Sequence, residues 1–328
     1  MLTPMNKLDI LRQPVAAELQ QYQALFAEAL THDDDYLGQV LGHIRTRKGK
    51  MMRPLLTLLV ARELGAIKPE TLRAAITLEL LHTASLVHDD VVDDSDERRG
   101  QASANQIFGN EVAVLVGDYI LSLALQQAAK TGSLECVEII ARLGATLSEG
   151  EVFQLANIRR EEASEEAYFK VIEHKTAALF MACAELGART AGADEDFIQM
   201  ARDFGKYIGI CFQIRDDIFD YYDDPKIGKP TGNDMAEGKL TLPVLYVLRN
   251  TQDAEILQLA ADIKAGKAST EDIRRMVQIA IAGGGIEYAQ TVMEEYRKRA
   301  EACLAAFKNA EVSEALKGYL NYVIGRDF

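Results

Sequence analysis

The sequence predicts an all-α protein, folded as a single large helical bundle with a central cavity. Apolar residues recur at helical spacing along almost all of the 328 residues, and no run of alternating apolar and polar residues favours a strand. The chain has seven prolines and no tryptophan, and 48% of its residues are hydrophobic, which is typical of a helix-rich protein with a substantial core. Because no Pro- or Ser-rich segment interrupts the pattern, we expect one domain over 1–328.

The predicted helices follow one another with short connections. In the N-terminal half the periodic segments are 7–30, 36–48, 54–64, 70–92, 111–131 and 134–155. In the C-terminal half they are 165–191, 194–222, 242–251, 254–265, 270–282, 286–307 and 314–323. Helices of about 20 residues span roughly 30 Å. The segments 74–86 and 113–129 are apolar on more than one face, which indicates helices in the middle of a bundle. The clearest loop, 223–239, carries several glycines and charges, and we expect it to close over a site as a lid.

Composition excludes several classes of protein. A net charge of −14 argues against nucleic acid as a partner and against tight docking on anionic lipid. The four cysteines (Cys136, Cys183, Cys211 and Cys303) lack C-x-x-C spacing, so we expect buried free thiols in a reducing compartment. The first 30 residues lack the apolar core of a signal peptide, and no apolar run reaches the ~18 residues of a membrane span. We therefore expect a cytoplasmic protein that touches a membrane at most transiently.

Two short acidic motifs each lie near the end of an apolar helical segment. They are D-D-V-V-D at 89–93 and D-D-I-F-D at 216–220. In both, the first and last aspartates are four residues apart, so a helix places their carboxylates on one face, one turn apart. Carboxylates that close repel each other unless a cation lies between them. Hard oxygen ligands in ones and twos suit Mg²⁺, which commonly also binds substrate phosphates.

A solvated helix end is the alternative interpretation of one such motif. It explains two of them poorly, because largely apolar turns precede both, at 80–87 and at 208–214. The pair of motifs therefore predicts a set of Mg²⁺ ions that hold a diphosphate.

The ordered series of motifs resembles that of the trans-prenyl diphosphate synthases, and most of all the long-chain octaprenyl and hexaprenyl diphosphate synthases. The paired signature is D-D-x-x-D-x-x-x-x-R-R-G at 89–100 and F-Q-x-x-D-D-x-x-D at 212–220. Further matches are G-K-x-x-R-P at 49–54, E-x-x-H at 79–82, E-x-x-Q at 151–154, K-T at 175–176 and G-K-x-x-G-x-D-x-x-E-G-K-x-T-x-P at 228–243. The similarity runs from about residue 37 to the C-terminus. Met51 departs from the family, which commonly has a basic residue there.

The resemblance implies an isoprenoid synthase-like bundle that catalyses a head-to-tail condensation. An allylic diphosphate ionises, isopentenyl diphosphate attacks the carbocation, and loss of a proton regenerates an allylic diphosphate. The implied metal residues are Asp89 and Asp93 for two Mg²⁺ ions and Asp216 for a third, with Asp90, Asp217 and Asp220 in support.

The resemblance also implies residues for both substrates. Those implied for isopentenyl diphosphate, without metal, are Lys50, Arg53, His82 and Arg99. Those implied for the allylic diphosphate are Arg98, Lys175 and Lys229, with Lys239 close by. Thr176 and Gln213 are expected beside the developing cation, which their oxygens can stabilise. No protein base is evident, and the released diphosphate is expected to take the proton.

Small side chains ahead of the first motif bear on product length. Ser85 and Ala84 lie four and five residues before Asp89, and Leu81 lies eight before it. Short-chain family members carry a bulky aromatic residue near these positions, which blocks the growing tail. A tunnel along a 30 Å helix accommodates roughly six to eight isoprene units, or about 30–40 carbons. We therefore expect a long-chain product.

Several alternatives are weighed against this interpretation. The nearest is a short-chain farnesyl or geranylgeranyl diphosphate synthase. A terpene cyclase would have no use for the basic isopentenyl site, and a non-catalytic subunit of a heteromeric synthase would tend to lack one acidic motif. A di-iron bundle needs Glu-x-x-His on two helices, whereas only 79–82 offers it near a site. The family's usual state implies a homodimer.

Overall fold

The computed structural model describes residues 7–46, 49–98, 100–158, 163–222 and 231–325, which are almost entirely helical. The helices of the first half are α1 (Lys7–Arg12), α2 (Ala16–Ala29), α3 (Asp35–Thr46), α4 (Met52–Arg62), α5 (Pro69–Val92), α6 (Ala104–Phe108), α7 (Asn110–Ala129) and α8 (Leu134–Ile158). Those of the second half are α9 (Glu165–Ile172), α10 (Ala178–Ala191), α11 (Glu195–Phe219), α12 (Asn233–Ala236), α13 (Leu242–Asn250), α14 (Ala254–Lys264), α15 (Thr270–Ala282), α16 (Gly285–Cys303) and α17 (Ala310–Ile324). Two strands, β1 (Glu97–Arg98) and β2 (Gln101–Ala102), pair antiparallel. The predicted all-α class is confirmed.

The chain forms two compact units that alternate along the sequence. Unit 1 comprises Met1–Gly144, Ala182–Arg202 and Ala306–Leu316. Unit 2 comprises Ala145–Met181, Asp203–Ala305 and Lys317–Phe328. Most of the boundaries fall inside helices (α8, α10, α11 and α17), so these helices contribute residues to both units. The expectation of a single domain stays a prediction.

The core of unit 1 is built on α5, which packs against α4 and α7. Pro69 begins α5, where its fixed φ suits the first helical turn and its missing N–H is not needed. All positions from 54 to 61 of α4 are buried, so this helix is enclosed on every side. Close approach of α7 to α5 requires Gly117, because a Cβ there would lie 2.2 Å from Nε2 of His88. These contacts fix the end of α5 that carries the first acidic motif.

The core of unit 2 is built on the C-terminal part of α11 together with α13, α15 and α16. Ile210, Ile214 and Ile218 recur every four residues on one face of α11 and are buried. A capping box between Ser269 and Asp272 begins α15, which satisfies backbone N–H groups of its first turn. The buried face of α11 therefore determines which way the second acidic motif points.

Several elements differ from the predicted ones for local reasons. The predicted helix 7–30 is interrupted by a 3₁₀ turn, Gln13–Val15, because Pro14 cannot donate an interior helical hydrogen bond. The predicted helix 165–191 contains a π-helical turn, Glu173–Ala177. The short elements β1, β2, α6 and α12 were not predicted, since two to five residues carry too little periodicity.

The prediction of free cysteines is confirmed, the reducing compartment stays a prediction, and the membrane prediction needs a correction. All four cysteines are free; three are buried and Cys303 is half-buried. Within the described residues α7 is long and apolar enough to cross a membrane, by length and composition only, and 33% of its apolar window is buried. The same composition suits a core helix, and α7 packs along α5 in unit 1. Three of its other apolar side chains, Val114, Leu115 and Leu125, are exposed.

Candidate active site

The first acidic motif lies at the C-terminal end of α5 in unit 1. Asp89 is half-buried and Asp93, the residue that ends the helix, is exposed. The backbone N–H of Asp93 donates to the carbonyl oxygen of Asp89 at 2.8 Å, so the helical spacing continues through the motif. The two aspartates therefore share a face at the end of a buried helix, as the sequence predicts.

Asp90, the middle aspartate of this motif, has a structural partner. Its side chain is fully buried, and its Oδ1 accepts a hydrogen bond from Nε of Arg98 at 2.6 Å. Arg98 lies on β1, so the ion pair fastens the β1–β2 hairpin to the end of α5. A guanidinium has five N–H donors, and this bond uses one of them. The pair orients Arg98, which the resemblance assigns to the allylic diphosphate.

Three of the residues implied for isopentenyl diphosphate lie in unit 1. Lys50 is exposed just before α4, whereas Arg53 in the first turn of α4 and His82 on α5 are half-buried. Burial raises the pKa of Tyr22 well above its usual value, with Glu79 and Cys183 raising it further and Arg53 lowering it. Arg53 therefore lies in a partly enclosed polar group. The fourth residue, Arg99, lies outside the described residues.

Left-handed backbone occurs in the loop that precedes α4 and in the loop that follows α5. Among the described residues, the non-glycine positions with positive φ are Met51 at 55° and Asp94 at 49°. Met51 falls inside the G-K-x-x-R-P segment, and Asp94 follows the first acidic motif directly. Such backbone is costly and clusters at functional sites. Met51, which departs from the family's basic residue, also receives a hydrogen bond on its sulfur from Gln23 at 3.1 Å.

A chain of hydrogen bonds joins the predicted cation-stabilising residues to the second acidic motif in unit 2. The Thr176 hydroxyl donates to Oε1 of Gln213 at 2.7 Å, and Nε2 of Gln213 donates to Oδ1 of Asp217 at 2.7 Å. The hydroxyl of Tyr168 donates to the other oxygen of Asp217 at 2.6 Å. Tyr168 and Asp217 are buried. Three predicted residues are thus brought together, with Tyr168 as an unpredicted fourth.

Burial changes the acid–base properties of this network. Desolvation raises the pKa of Asp217 well above the usual carboxyl range, and the charge of Asp234 raises it further. The hydrogen bonds from Tyr168 and Gln213 act in the opposite direction. Burial, followed by the charge of Asp217, raises the pKa of Tyr168 well above its usual value. The Tyr168 hydroxyl therefore keeps its proton and acts as a donor.

Lys175 and Thr176 lie on the π-helical turn Glu173–Ala177. Such turns are rare and frequently mark functional sites. Nζ of Lys175 is 2.7 Å from a carboxylate oxygen of Glu151 on α8. The glutamate of the E-x-x-Q motif therefore holds the Lys175 side chain in place. On the same helix, a Cβ at Gly150 would lie 2.9 Å from Cβ of His174. Glycine here lets α8 approach the turn closely enough for the ion pair.

The remaining residues of the second motif lie at the C-terminal end of α11. Asp216 is exposed. Asp220 accepts hydrogen bonds from the backbone N–H groups of Asn233 at 2.9 Å and Asp234 at 3.1 Å, so it anchors the chain that leads to Lys239. Lys239 forms an ion pair with Glu237. Lys229 lies outside the described residues.

The carboxylates fit Mg²⁺ by their chemistry. In the part of the chain that the structure describes, no three His, Cys, Asp or Glu side chains form a metal-binding group. Mg²⁺ commonly takes only one or two carboxylates and completes its shell with water and substrate phosphate. Asp89, Asp93 and Asp216 supply hard oxygen ligands of this kind. Asp90, Asp217 and Asp220 are engaged by other side chains or by backbone, which suits the supporting role that the sequence predicts for them.

Comparisons with known proteins agree with this arrangement. The family described as polyprenyl synthetase matches residues 34–280. The octaprenyl diphosphate synthase of Escherichia coli (strain K12) is 35% identical over 323 residues, which are 98% of this chain and 99% of that protein. The crystal structure of a geranylgeranyl pyrophosphate synthase from Bacteroides thetaiotaomicron is 48% identical, with a TM-score of 0.87 over 98% of this chain and 100% of that one. A polyprenyl synthase from Caulobacter crescentus CB15, complexed with calcium and isoprenyl diphosphate, is 32% identical, with a TM-score of 0.91 over 98% and 99% of the two chains.

The fold and the two aspartate motifs therefore define a prenyltransferase. The chain belongs to the polyprenyl synthetase family. The resemblance drawn from the motifs is confirmed, whereas the shared Mg²⁺ set of the two motifs stays a prediction.

Tyr168 is the functional residue that the sequence does not predict. It lies on a short amphipathic helix whose buried positions also include Ala167 and Ile172, and a tyrosine in such a pattern looks like an ordinary core residue. Tyr168 lies eight residues before Thr176. This spacing would indicate that both side chains reach the same network only if the π-helical turn Glu173–Ala177 were already known.

Proposed function

We propose that this protein is a Mg²⁺-dependent all-trans polyprenyl diphosphate synthase, which adds isopentenyl diphosphate head-to-tail to an allylic diphosphate. The observation that carries the proposal is the connected group in unit 2. There Lys175 and Thr176 share one π-helical turn, and the Thr176 hydroxyl is hydrogen-bonded through Gln213 to the D-D-I-F-D motif. This group combines a cation for a leaving diphosphate, an oxygen for a carbocation and carboxylates for a metal.

The side chains divide the work of the reaction. Lys175 would bind the leaving diphosphate, and the Thr176 oxygen would stabilise positive charge on the allylic carbon. In unit 1, Lys50, Arg53 and His82 would hold the diphosphate of isopentenyl diphosphate without metal. Arg98, oriented by Asp90, offers a planar fork of donors to phosphate oxygens. Asp89, Asp93 and Asp216 would hold Mg²⁺, which when bound neutralises diphosphate charge.

We propose a long-chain product of about 30–40 carbons, from the length of α5 and its small residues. Ala84 is buried and Ser85 is half-buried. The turn of α5 that precedes Asp89 therefore carries no bulky side chain at these two positions. Leu81 follows one turn further, and a Cβ on Gly144 of α8 would meet its Cδ1 at 4.0 Å. Octaprenyl diphosphate synthases among the relatives support this length.

A short-chain product is the second candidate. The solved structure with 48% identity is described as a geranylgeranyl pyrophosphate synthase, whereas the octaprenyl diphosphate synthases are 35–36% identical. Overall sequence identity reflects the chemistry that short-chain and long-chain synthases share, whereas the residues that surround the growing tail determine the length of the product. The product distribution distinguishes the two candidates directly.

We further propose that the protein is a cytoplasmic homodimer which contacts a membrane transiently when its lipid product leaves. The exposed apolar side chains of α7 support the dimer. Leu115 is 67% exposed and Leu125 is 46% exposed, and a soluble protein with such a stripe commonly covers it with a partner. A second copy of the chain brings an identical stripe, as two-fold association requires.

The experiment that tests the function uses purified protein with Mg²⁺, farnesyl diphosphate and labelled isopentenyl diphosphate. Dephosphorylated products are separated by chromatography. We expect a dominant product of about 30–40 carbons and no product when Mg²⁺ is chelated. A geranylgeranyl product would support the second candidate. Folded protein that elongates no allylic starter would contradict the proposed function.

A further inference from the structure

The hydrogen-bond chain in unit 2 has a direction, which its end groups determine. Both oxygens of Asp217 accept hydrogen bonds in this chain, Oδ2 from the Tyr168 hydroxyl and Oδ1 from Nε2 of Gln213. Gln213 must therefore turn its amide nitrogen toward Asp217, at 2.7 Å, and its oxygen toward Thr176. The Thr176 hydroxyl must then donate to Gln213.

The consequence lies at the Thr176 oxygen. Once its hydrogen is used by Gln213, the lone pairs are what this oxygen can present to a substrate. A developing carbocation is stabilised by lone pairs and destabilised by the positive end of an O–H dipole. The direction of the chain thus decides whether the hydroxyl favours or opposes ionisation of the allylic diphosphate.

We infer that Tyr168 is a positioning residue, which holds the carboxyl group of Asp217 where it accepts from Gln213, so that Thr176 presents oxygen lone pairs, and not a hydrogen, to the allylic cation. Its hydroxyl donates to Asp217 at 2.6 Å and holds the carboxylate in the orientation that receives Gln213. Tyr168 does not touch the substrate. The inference rests on the proposed function.

The helix that carries Tyr168 is held firmly. The side chain of Ser164 accepts a hydrogen bond from the backbone N–H of Ala167 and so caps α9. Glu165 in the first turn receives a hydrogen bond from the Tyr288 hydroxyl at 2.6 Å and another from Arg249 at 3.0 Å. The Arg249 guanidinium also lies over the Tyr288 ring, 5.3 Å from its centroid. A donor on a helix that is anchored in this way can hold the Asp217 carboxyl group in the position where it accepts from Gln213.

The test is a double-mutant cycle of Tyr168→Phe and Asp217→Asn. It is measured as the single-turnover rate of the first condensation at saturating isopentenyl diphosphate. In the wild-type background, Tyr168→Phe should lower this rate about tenfold, the equivalent of one lost charge-assisted hydrogen bond. The KM for isopentenyl diphosphate should not change.

In the Asp217→Asn variant, Tyr168→Phe should raise the single-turnover rate, because there the tyrosine hydroxyl favours the wrong direction of the chain. That hydroxyl donates to the new amide oxygen and so turns the amide nitrogen toward Gln213. Gln213 must then flip and present its own nitrogen to Thr176, whose hydrogen is directed toward the cation. Adding Tyr168→Phe frees the amide to rotate and restores the original direction. We therefore expect the double variant to be about three- to tenfold faster than Asp217→Asn alone.

The control is Tyr221→Phe, which removes another buried tyrosine hydroxyl, bonded to Thr241 at 2.9 Å. Its effect should have the same sign in both backgrounds. If Tyr168→Phe also lowers the rate by one common factor in both backgrounds, its role is structural only and the inference is wrong.

A second cycle covers the case in which Asp217→Asn does not fold. With Thr176→Val there is no hydroxyl to orient, so Tyr168→Phe should leave the single-turnover rate unchanged in that background. An undiminished loss there would overturn the inference. Absence of elongation by the wild-type protein would instead contradict the proposed function, so the two failures are distinguishable.

Discussion

Gly209 of α11 lies so close to Ala177 that a Cβ on residue 209 would come 2.5 Å from the Ala177 Cα atom. Gly150 of α8 makes a similar approach, with His174 as its neighbour. The π-helical turn that carries Lys175 and Thr176 therefore packs against bare backbone of α8 and of α11 in unit 2. The glycines place the turn where its side chains reach Glu151 and Gln213.

Gly209→Ala should therefore displace the turn and reduce activity. An added methyl group in this contact forces a backbone shift, which we expect to cost about 1–3 kcal/mol of unfolding free energy. The elongation rate should fall further than the loss of folded protein alone would explain, because the hydrogen bond from Thr176 to Gln213 is disturbed. Urea unfolding and steady-state elongation rates measure the two effects.

Gly42→Ala is the matched control for this substitution. Gly42 lies in α3, and a Cβ there meets no atom within 4 Å. Alanine should stabilise the helix by about 0.5–1 kcal/mol and leave the rate unchanged. Equal behaviour of the two variants would contradict the assigned role of Gly209.

Asp93→Asn should reduce the elongation rate about a hundredfold, a loss of ~2.7 kcal/mol of transition-state stabilisation. The carboxylate is exposed at the end of α5, one turn from Asp89, where it would bind Mg²⁺. The rate should partly recover as Mg²⁺ is raised. Asp94→Asn removes the same charge from the adjacent exposed residue, and asparagine tolerates its left-handed backbone. This control should change the rate less than about twofold, since Asp94 lies outside the D-D-V-V-D motif and one exposed surface charge has little effect.

Arg98→Ala should destabilise the protein as well as weaken substrate binding. It removes the guanidinium that pairs with the fully buried carboxylate of Asp90, and breaking a buried ion pair costs about 3–5 kcal/mol. Thermal unfolding without substrate isolates this effect. Arg274→Ala breaks an exposed ion pair with Glu271 and should cost less than about 1 kcal/mol. A small loss for both variants would show that the Asp90 pair contributes little.

Ser85→Phe should shorten the product. The half-buried serine lies one turn before Asp89 on α5, and an aromatic ring there would obstruct a tail that runs toward Leu81. Chromatography of the dephosphorylated products should show loss of the longest species, while the first condensation continues. Leu86→Phe adds a ring at the next residue, about 100° around the helix, and should not change the distribution. An unchanged distribution for Ser85→Phe would rule out this path for the tail.

Leu115→Glu should separate the proposed dimer. A charge on the exposed apolar face of α7 opposes burial of that face against a second copy. Sedimentation should show a folded monomer, whereas Leu257→Glu, at an exposed leucine of α14 that is 45% accessible, should leave the mass unchanged. A dimer that persists in the Leu115 variant would place the contact elsewhere.

Much of the site is local in the sequence and could be predicted from it. Helical spacing is enough to place Asp89 and Asp93 on one face, and the order of motifs is enough to identify the family. Residues that act through long-range contacts could not be predicted. Tyr168 reaches Asp217 across 49 positions of the chain, and nothing in a single sequence states that pairing.

The all-α class, the long helices and the chemistry of the two acidic motifs can be predicted from the sequence, because period and residue type are local properties. Which carboxylates are structural depends on how the helices pack. Asp90 and Asp93 are equivalent as letters in a motif, yet one is buried against Arg98 and the other is exposed. Packing also determines where the π-helical turn Glu173–Ala177 lies, since its close contacts with Gly150 and Gly209 exist only once α8 and α11 have packed against it.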